Sequence, residues 1–322
     1  MNITWDCVIV GGGAAGLSAG LVLGRARRRT LLVDAGQQSN RAAHGIGGLL
    51  GHDGRAPGEL YKAGRQEISA YPSVELRTGE VVAGQRTGDV FELELSDGRY
   101  ERARTVLLAT GVEYRPPALP GLAELWGRSV FHCPFCHGWE VRDQPLAVLV
   151  NGMRAVQPSL LLTAWSDDVV LLTGGPADLD DDTRSRLAAA HIPIDERPIA
   201  ELVSTDGKLQ AIVFTDGTRL ARSGLLVATT LHQRSRLVEQ LGVGFGEPGP
   251  AAASPIAVDV LCRTTVPGVF AAGDDTSAQM TQVASAVALG SLAATSIVQS
   301  LLAEDVGLPV PAWPGPPPAT VG

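Results

Sequence analysis

Short apolar runs that end in glycine recur along the chain. Cys7–Val10 is such a run and enters Gly11-Gly12-Gly13-Ala14-Ala15-Gly16; Leu17–Leu23 has helical spacing, and Thr30–Val33 is a second apolar run ending at Asp34. Brief apolar runs bounded by turn residues predict strands covered on both faces, so the order reads strand, glycine turn, helix, strand. Phe91–Leu95 alternates and ends in an Asp97-Gly98 turn, which predicts a half-buried strand. Arg104–Ala109 is a further strand closing on Thr110-Gly111, and Arg115-Pro116-Pro117 with Pro120-Gly121 reads as a linker. The pattern then restarts: strand Leu146–Val150, helix Leu160–Trp165, strand Val169–Leu172, a hairpin over Leu209–Leu220 around Asp216-Gly217, and strand Leu225–Ala228. Gly242–Pro255 reads as a return linker, Val266–Asp274 as a strand with a small-residue turn, and Gln282–Leu302 as a long Ala-rich helix. Beyond Leu308 the Pro-rich tail is expected to be disordered.

Composition narrows the class. At 322 residues with 45% hydrophobic and 19% charged positions, the chain has material for about two domains. A net charge of −8 argues against a nucleic-acid partner, which asks for a basic face. No charged leader segment and no apolar run of about 18 residues is evident, so no membrane span and a reducing, cytoplasmic location are expected. In that setting two cysteines separated by two residues are catalytic or metal-binding rather than structural. Of the four cysteines, Cys133 and Cys136 form such a pair.

The N-terminal glycines have separable tasks. Gly11 permits the tight turn, Gly13 lets the backbone approach a pyrophosphate, and Gly16 lets helix and strand pack closely. The pyrophosphate then meets the unpaired N–H groups of the helix start, and Asp34, about 20 residues on, accepts from an adenosine ribose.

Around the cysteine pair the sequence is His132-Cys133-Pro134-Phe135-Cys136-His137. The spacing allows a disulfide, and a neighbouring imidazole can take a proton from a thiol and return it near neutral pH. A zinc site is the competing reading, since two Cys and two His lie within six residues. Structural zinc sites, however, join two separated ligand pairs, and no metal is expected. Packing accounts for His132, and Cys7 and Cys262 are expected to be inert.

The order of GGGAAG at Gly11–Gly16, A-T-G at Ala109–Gly111, C-P-F-C-H-G at Cys133–Gly138 and V-F-A-A-G-D at Val269–Asp274 resembles the flavoprotein disulfide reductases, and within them the low-molecular-weight thioredoxin reductases. The resemblance covers nearly the whole chain. It implies an α/β fold of two Rossmann-like dinucleotide-binding domains, with a discontinuous FAD domain (1–116 and 248–322) interrupted by a CxxC-containing, NAD(P)-binding-like domain (117–247). It also implies that Gly11, Gly13, Ala14 and Ala15 hold the FAD pyrophosphate, Asp34 the ribose, and Val81 the adenine. Asp274 then faces the ribityl or phosphate oxygens, Gln282 and Val283 the flavin N1/C2=O edge, Asn40 with Gly48–Gly54 forms the flavin-lining loop, and Gly111 is a further cofactor-binding position. Cys136 becomes the flavin-facing sulfur and Cys133 the one that meets substrate. Relatives of this fold are typically homodimers.

The inserted domain departs from the NADPH-dependent pattern. Where GxGxxA is expected the chain reads Val150-Asn151-Gly152-Met153-Arg154-Ala155, with a β-branched residue at the first glycine position. Where those members carry a cationic cluster for the 2′-phosphate, the chain has Thr173-Gly174-Gly175, flanked by Asp167, Asp168, Asp178 and Asp180–Asp182. With CPFCHG and the helix start at Met280-Thr-Gln-Val-Ala-Ser, the combination resembles the dithiol oxidases of disulfide natural-product pathways, of gliotoxin and holomycin type. The reading implied is an FAD-dependent oxidase that closes a disulfide in a small dithiol through Cys133, Cys136 and His137, with O2 as electron acceptor and H2O2 as product. An NADPH- or ferredoxin-dependent disulfide reductase is the alternative on the same fold, and a flavin redox sensor without turnover the alternative of another class.

Overall fold

The computed structural model describes residues 4–249, 251–276 and 281–309, so the proline-rich tail and Met280 lie outside the described residues. The chain divides into two compact units: Met1–Arg41, Pro57–Tyr114 and Leu231–Gly322 form the first, and Ala42–Ala56 with Arg115–Thr230 the second.

The first unit is built on a seven-stranded sheet. Thr4–Val10 pairs in parallel with Thr30–Asp34 on one side and Tyr100–Leu108 on the other, Val74–Thr78 extends the first flank, and Val269–Ala271 pairs in parallel with Tyr100–Leu108. Val90–Leu95 and Val81–Thr87 add an antiparallel flank. Both faces are covered: Val8, Val10, Leu31 and Val33 point into one core, Cys7, Ile9 and Leu32 into the other. That is why Cys7–Val10 is apolar at every position rather than alternating.

Helix Ala14–Arg25 packs against helix Val283–Asp305 at very short range. A Cβ on Gly290 would lie 2.1 Å from the carbonyl oxygen of Ala15, so only glycine fits there. This close approach explains why the C-terminal helix is rich in small residues; its buried face is Ala286, Gly290, Ala293, Ala294, Ile297 and Leu301. Contrary to the expectation that no apolar run reaches spanning length, Val283–Asp305 is long and apolar enough to cross a membrane, by length and composition alone. Its apolarity is used in contact with the Rossmann helix.

Two boundaries differ from the sequence reading. The second crossing falls at Leu231 rather than 248, because Leu237, Val238, Leu241 and Val243 bury into the first unit's core beside Val81 and Leu93. The first unit is also interrupted at Ala42–Ala56, a loop that closes on itself through Ile46 and Gly54 (N–H of Gly54 to the Ile46 carbonyl, 2.8 Å).

The second unit carries a five-stranded parallel sheet made of Ile194–Asp195, Val169–Leu172, Leu146–Leu149, Gly224–Val227 and Val130–Phe131 in spatial order. One face is covered by helices through Ala155, Leu162 and Leu187, the other by the antiparallel strands Ile199–Thr205, Lys208–Phe214 and Arg219–Ala221 through Leu202, Ile212 and Phe214. The helix expected over Leu160–Trp165 runs instead over Val156–Leu162, after a single 3-10 turn at Met153–Ala155. Pro158 sits in its first turn, where its missing N–H costs no bond.

Candidate active site

In the first unit the glycine loop is shaped for a bound anion. Gly11 has φ +110°, and a Cβ there would lie 2.2 Å from the Ala109 carbonyl oxygen; one on Gly16 would lie 1.9 Å from that of Gly11. Backbone crowding thus dictates both glycines. At Gly13 the situation is different: a Cβ meets nothing closer than Gln38 at 3.9 Å, so this glycine leaves open space instead of relieving a clash. Gly13 is also the N-cap of helix Ala14–Arg25, with no side-chain cap and no acid in the first turn. The N–H groups around Ala14 and Ala15 are therefore left for a ligand.

Asp34 organises the loop beside them. Its Oδ1 accepts from the N–H groups of Gly12 (3.2 Å) and Gly36 (3.0 Å), and its carboxylate also takes the Gln38 amide and the Arg65 guanidinium. A ribose hydroxyl at Asp34 would replace Gln38 or Arg65, partners that lie apart from Asp34 along the chain. Asn40 accepts from the Tyr61 hydroxyl at 2.7 Å. Val81 is buried in the core at the start of its strand, and Gly111 takes φ +64° in the turn after Ala109.

At the same C-terminal end of the sheet, beside the glycine loop, Asp274 follows Gly273, where an added Cβ would lie 3.1 Å from the Cβ of Ala15. Burial pushes its carboxyl up to about 6, against the Tyr114 hydroxyl, which contacts it at 3.4 Å, and the charge of Arg234. Tyr114 also donates to Thr281 at 2.7 Å. Gln282 is the N-cap of the 23-residue helix that starts at Val283, and it too makes no side-chain cap bond. Gly11, Gly13, Ala14, Ala15, Asp34, Asn40, Val81, Gly111, Asp274, Gln282 and Val283 all belong to the first unit.

The redox pair lies in the second unit. Cys133 and Cys136 form a disulfide, with Cα atoms 5.3 Å apart, across the single turn Pro134–His137 that Cys133 caps. Cys133 is buried, whereas Phe135 between the sulfurs is half exposed and packs edge-on against Trp165 at 5.4 Å. The Ala42–Ala56 loop runs directly along this turn: a Cβ on Gly47 would lie 2.9 Å from the Cys136 carbonyl oxygen. With both sulfurs joined to each other, neither is a thiolate ligand for zinc. Cys7 and Cys262 are buried thiols pushed up to about 12 by burial, which keeps them protonated.

His137 is held rather than free. Its Nε2 lies 3.0 Å from the Gly127 carbonyl oxygen, an acceptor only, so Nε2 carries the proton and Nδ1 the lone pair. The ring stacks on Phe131 at 5.7 Å. Burial lowers its pKa although the carbonyls of Cys133 and Gly127 pull it up, so the ring is neutral at pH 7. Nδ1 is buried without a hydrogen-bond partner among the described residues. His132 stacks on Trp126, and burial lowers its pKa to about 4.

In the second dinucleotide-type loop the Asn151 side chain bonds within the loop, while Gly152 starts the following turn without a side-chain cap. Asn151 Oδ1 accepts from the N–H groups of Gly152 (2.8 Å) and Asp178 (2.9 Å), while its Nδ2 donates to the Pro176 carbonyl (3.0 Å). Asp180 caps the following helix by accepting from Thr183 N–H at 2.8 Å. The fold brings two arginines to the end of Val169–Leu172 that sequence order did not suggest. Arg197 is committed to Asp195 (Nε to Oδ1, 2.9 Å) and Arg184 to Glu196 (3.5 Å), and Thr173 turns its hydroxyl onto the Gly175 carbonyl.

Residues 5–290 match the pyridine nucleotide-disulphide oxidoreductase family. The chain belongs to that family. Its relatives include thioredoxin reductase tcpT of Claviceps purpurea, 34% identical over 93% of this chain and 95% of the relative, and thioredoxin reductase aclD of Aspergillus oryzae, 32% identical over 94% and 98%. Among solved structures, HlmI superposes with a TM-score of 0.89 at 39% identity, covering 95% of this chain and 96% of HlmI. The protein is an FAD-dependent thiol–disulfide oxidoreductase with a thioredoxin reductase-type α/β fold. The first unit fits FAD on its own geometry: an open position at Gly13 and two helix starts without side-chain caps.

Proposed function

We propose that the protein oxidises a small dithiol to its intramolecular disulfide, with O2 as terminal acceptor. What supports this reading is the second unit's loop, where a valine stands at the first fingerprint position and the Asn151 side chain engages the N–H groups of Gly152 and Asp178 that a nicotinamide dinucleotide would otherwise meet. Similarity to tcpT, aclD and HlmI supports a disulfide-exchange chemistry. In this reading the first unit is the FAD domain and the second carries the redox pair with a degraded nucleotide site.

A substrate thiolate attacks Cys133 Sγ, the Cys133–Cys136 bond breaks, and Cys136 leaves as thiolate. The second substrate thiol attacks the substrate sulfur of the mixed disulfide, which expels Cys133 as thiolate and releases the cyclic product. His137, neutral at pH 7, takes a thiol proton at Nδ1 and returns it later. Bound FAD supplies the two-electron acceptor that restores the Cys133–Cys136 disulfide, and O2 takes those electrons to give H2O2. The sum is dithiol plus O2 giving disulfide plus H2O2.

A homodimer in the cytoplasm accompanies this reading. An oxygen electrode run with a panel of small dithiols tests it: O2 uptake matched one-to-one by H2O2 and by loss of two thiols supports the oxidase, and no uptake with any dithiol defeats it. NADPH-dependent reduction is favoured instead by the names of the relatives, and NADPH consumption coupled to disulfide reduction would establish it.

A further inference from the structure

The turn after the last parallel strand carries two adjacent acids, and the second has no role so far. Asp275 is completely buried. Its Oδ2 accepts from the backbone N–H (3.0 Å) and the hydroxyl (3.1 Å) of Thr110, and its main-chain carbonyl accepts from the Ile256 N–H (2.8 Å) and the Gln233 amide (2.9 Å). One residue thus ties the Ala109–Gly111 turn, the strand holding Gln233 and the Ile256 segment to the Gly273–Asp274 turn, all within the first unit. Its Oδ1 is buried without a hydrogen-bond partner among the described residues.

A carboxylate in that place would leave one charged oxygen dry and unpaired, which is disfavoured far more than a neutral acid with one oxygen satisfied. The groups that face it are Asp274 beside it, the Cys262 thiol, and the donors of Thr110 and Gly111; the charge of Arg234 acts on Asp274. Two carboxylates side by side disfavour each other's ionisation. Consistent with this, burial pushes Asp275 up to about 8 and Asp274 only to about 6.

We propose that Asp275 is a positioning residue for FAD that works only as a neutral acid. Protonated, it clamps the Thr110 turn to the Gly273–Asp274 turn. Ionised, it adds a second negative charge to the unit that receives an anionic cofactor, and the cofactor is released. The inference rests on the placement of FAD against Asp274 and the Gly13 loop.

The test is FAD release from diluted holoenzyme between pH 6 and 9.5, read by free-flavin fluorescence, with thermal melting of each variant alongside. The wild type should hold FAD with constant affinity to about pH 7.5 and then lose up to about tenfold per pH unit, the slope of a single proton linked to binding. Asp275→Asn copies the neutral acid in shape and hydrogen bonding; it should bind FAD within about threefold of wild type at pH 7 and lose the alkaline decline. Asp275→Val leaves the Thr110 donors unpaired and should weaken FAD at pH 7 by about tenfold or more. An alkaline decline unchanged in Asp275→Asn, or unweakened FAD in a folded Asp275→Val, overturns the proposal; if the valine variant does not fold, the asparagine pH profile decides alone. Asp274→Ala separates the premise: FAD held as tightly as in wild type would refute the placement itself, whatever Asp275 does.

Discussion

Two loops of the same kind, one in each unit, have been resolved by the sequence in different ways. In the first, Gly13 leaves open space at the start of a helix whose N–H groups no side chain caps. In the second, Val150 and Asn151 replace the entrance, and the Asn151 side chain spends its hydrogen bonds on Gly152, Pro176 and Asp178. Both loops follow a buried parallel strand and lead into a helix, so the fold alone does not decide which one binds a dinucleotide. Both helix starts, at Gly13 and Gly152, lack a side-chain cap, and the loops differ in the side chain that bonds inside them: Asp34 takes the Gly12 N–H in the first, Asn151 those of Gly152 and Asp178 in the second.

The comparison can be broken most sharply at the redox turn. Cys133→Ser or Cys136→Ser should lower dithiol oxidation by roughly 10³-fold or more while FAD remains bound, as flavin absorbance after gel filtration will show. Surviving turnover in the Cys136 variant would remove that sulfur from electron transfer. Next in size is the first loop: Gly13→Val fills the glycine of Gly11–Gly16 whose Cβ position is free of close contacts and should weaken FAD by about 10²-fold, equivalent to ~2.7 kcal/mol, in a fluorescence titration. The matching change in the second unit, Asn151→Val, should leave FAD affinity unchanged. Equal losses from both would erase the distinction between the two loops.

His137 gives a smaller effect with a defined sign. Burial depresses its pKa, so the neutral ring that accepts a proton persists down to below pH 6.5. Wild-type activity should thus rise as pH climbs through a value below 6.5 and then level off. His137→Ala should lose about tenfold near pH 6.5 and recover towards pH 8.5, where a substrate thiol ionises unaided. A variant profile that parallels wild type at every pH would exclude the ring as the base.

Much of this was legible in the sequence because short-range chemistry set it. Gly16 is dictated by the Gly11 carbonyl inside one strand–turn–helix unit, and the CxxC spacing puts both sulfurs on one helical turn, whereas the clash that requires Gly11 comes from the distant Ala109 carbonyl. What could not be read were encounters between distant segments. Arg65 and Gln38 on Asp34, Arg197 on Asp195 beside Thr173, and Gly47 against Cys136 each depend on how separate stretches meet. The return to the first unit at Leu231 was missed for the same reason. Leu237, Val238 and Leu241 fall inside the 117–247 domain by sequence order, and only the strand carrying Val81 shows the surface they bury against. Asp275 was hidden beside Asp274, since only the three-dimensional placement of Thr110, Gln233 and Ile256 shows that the second acid holds the turn together.

The central claim is that electrons enter from a dithiol through Cys133–Cys136 and not from a nicotinamide through the second unit. Stopped-flow mixing of the oxidised holoenzyme without oxygen, once with excess NADPH and once with a small dithiol, follows flavin absorbance directly. The account predicts bleaching with the dithiol, recovery on admitting O2, and no bleaching with NADPH on the turnover timescale. Rapid bleaching at micromolar NADPH would contradict it.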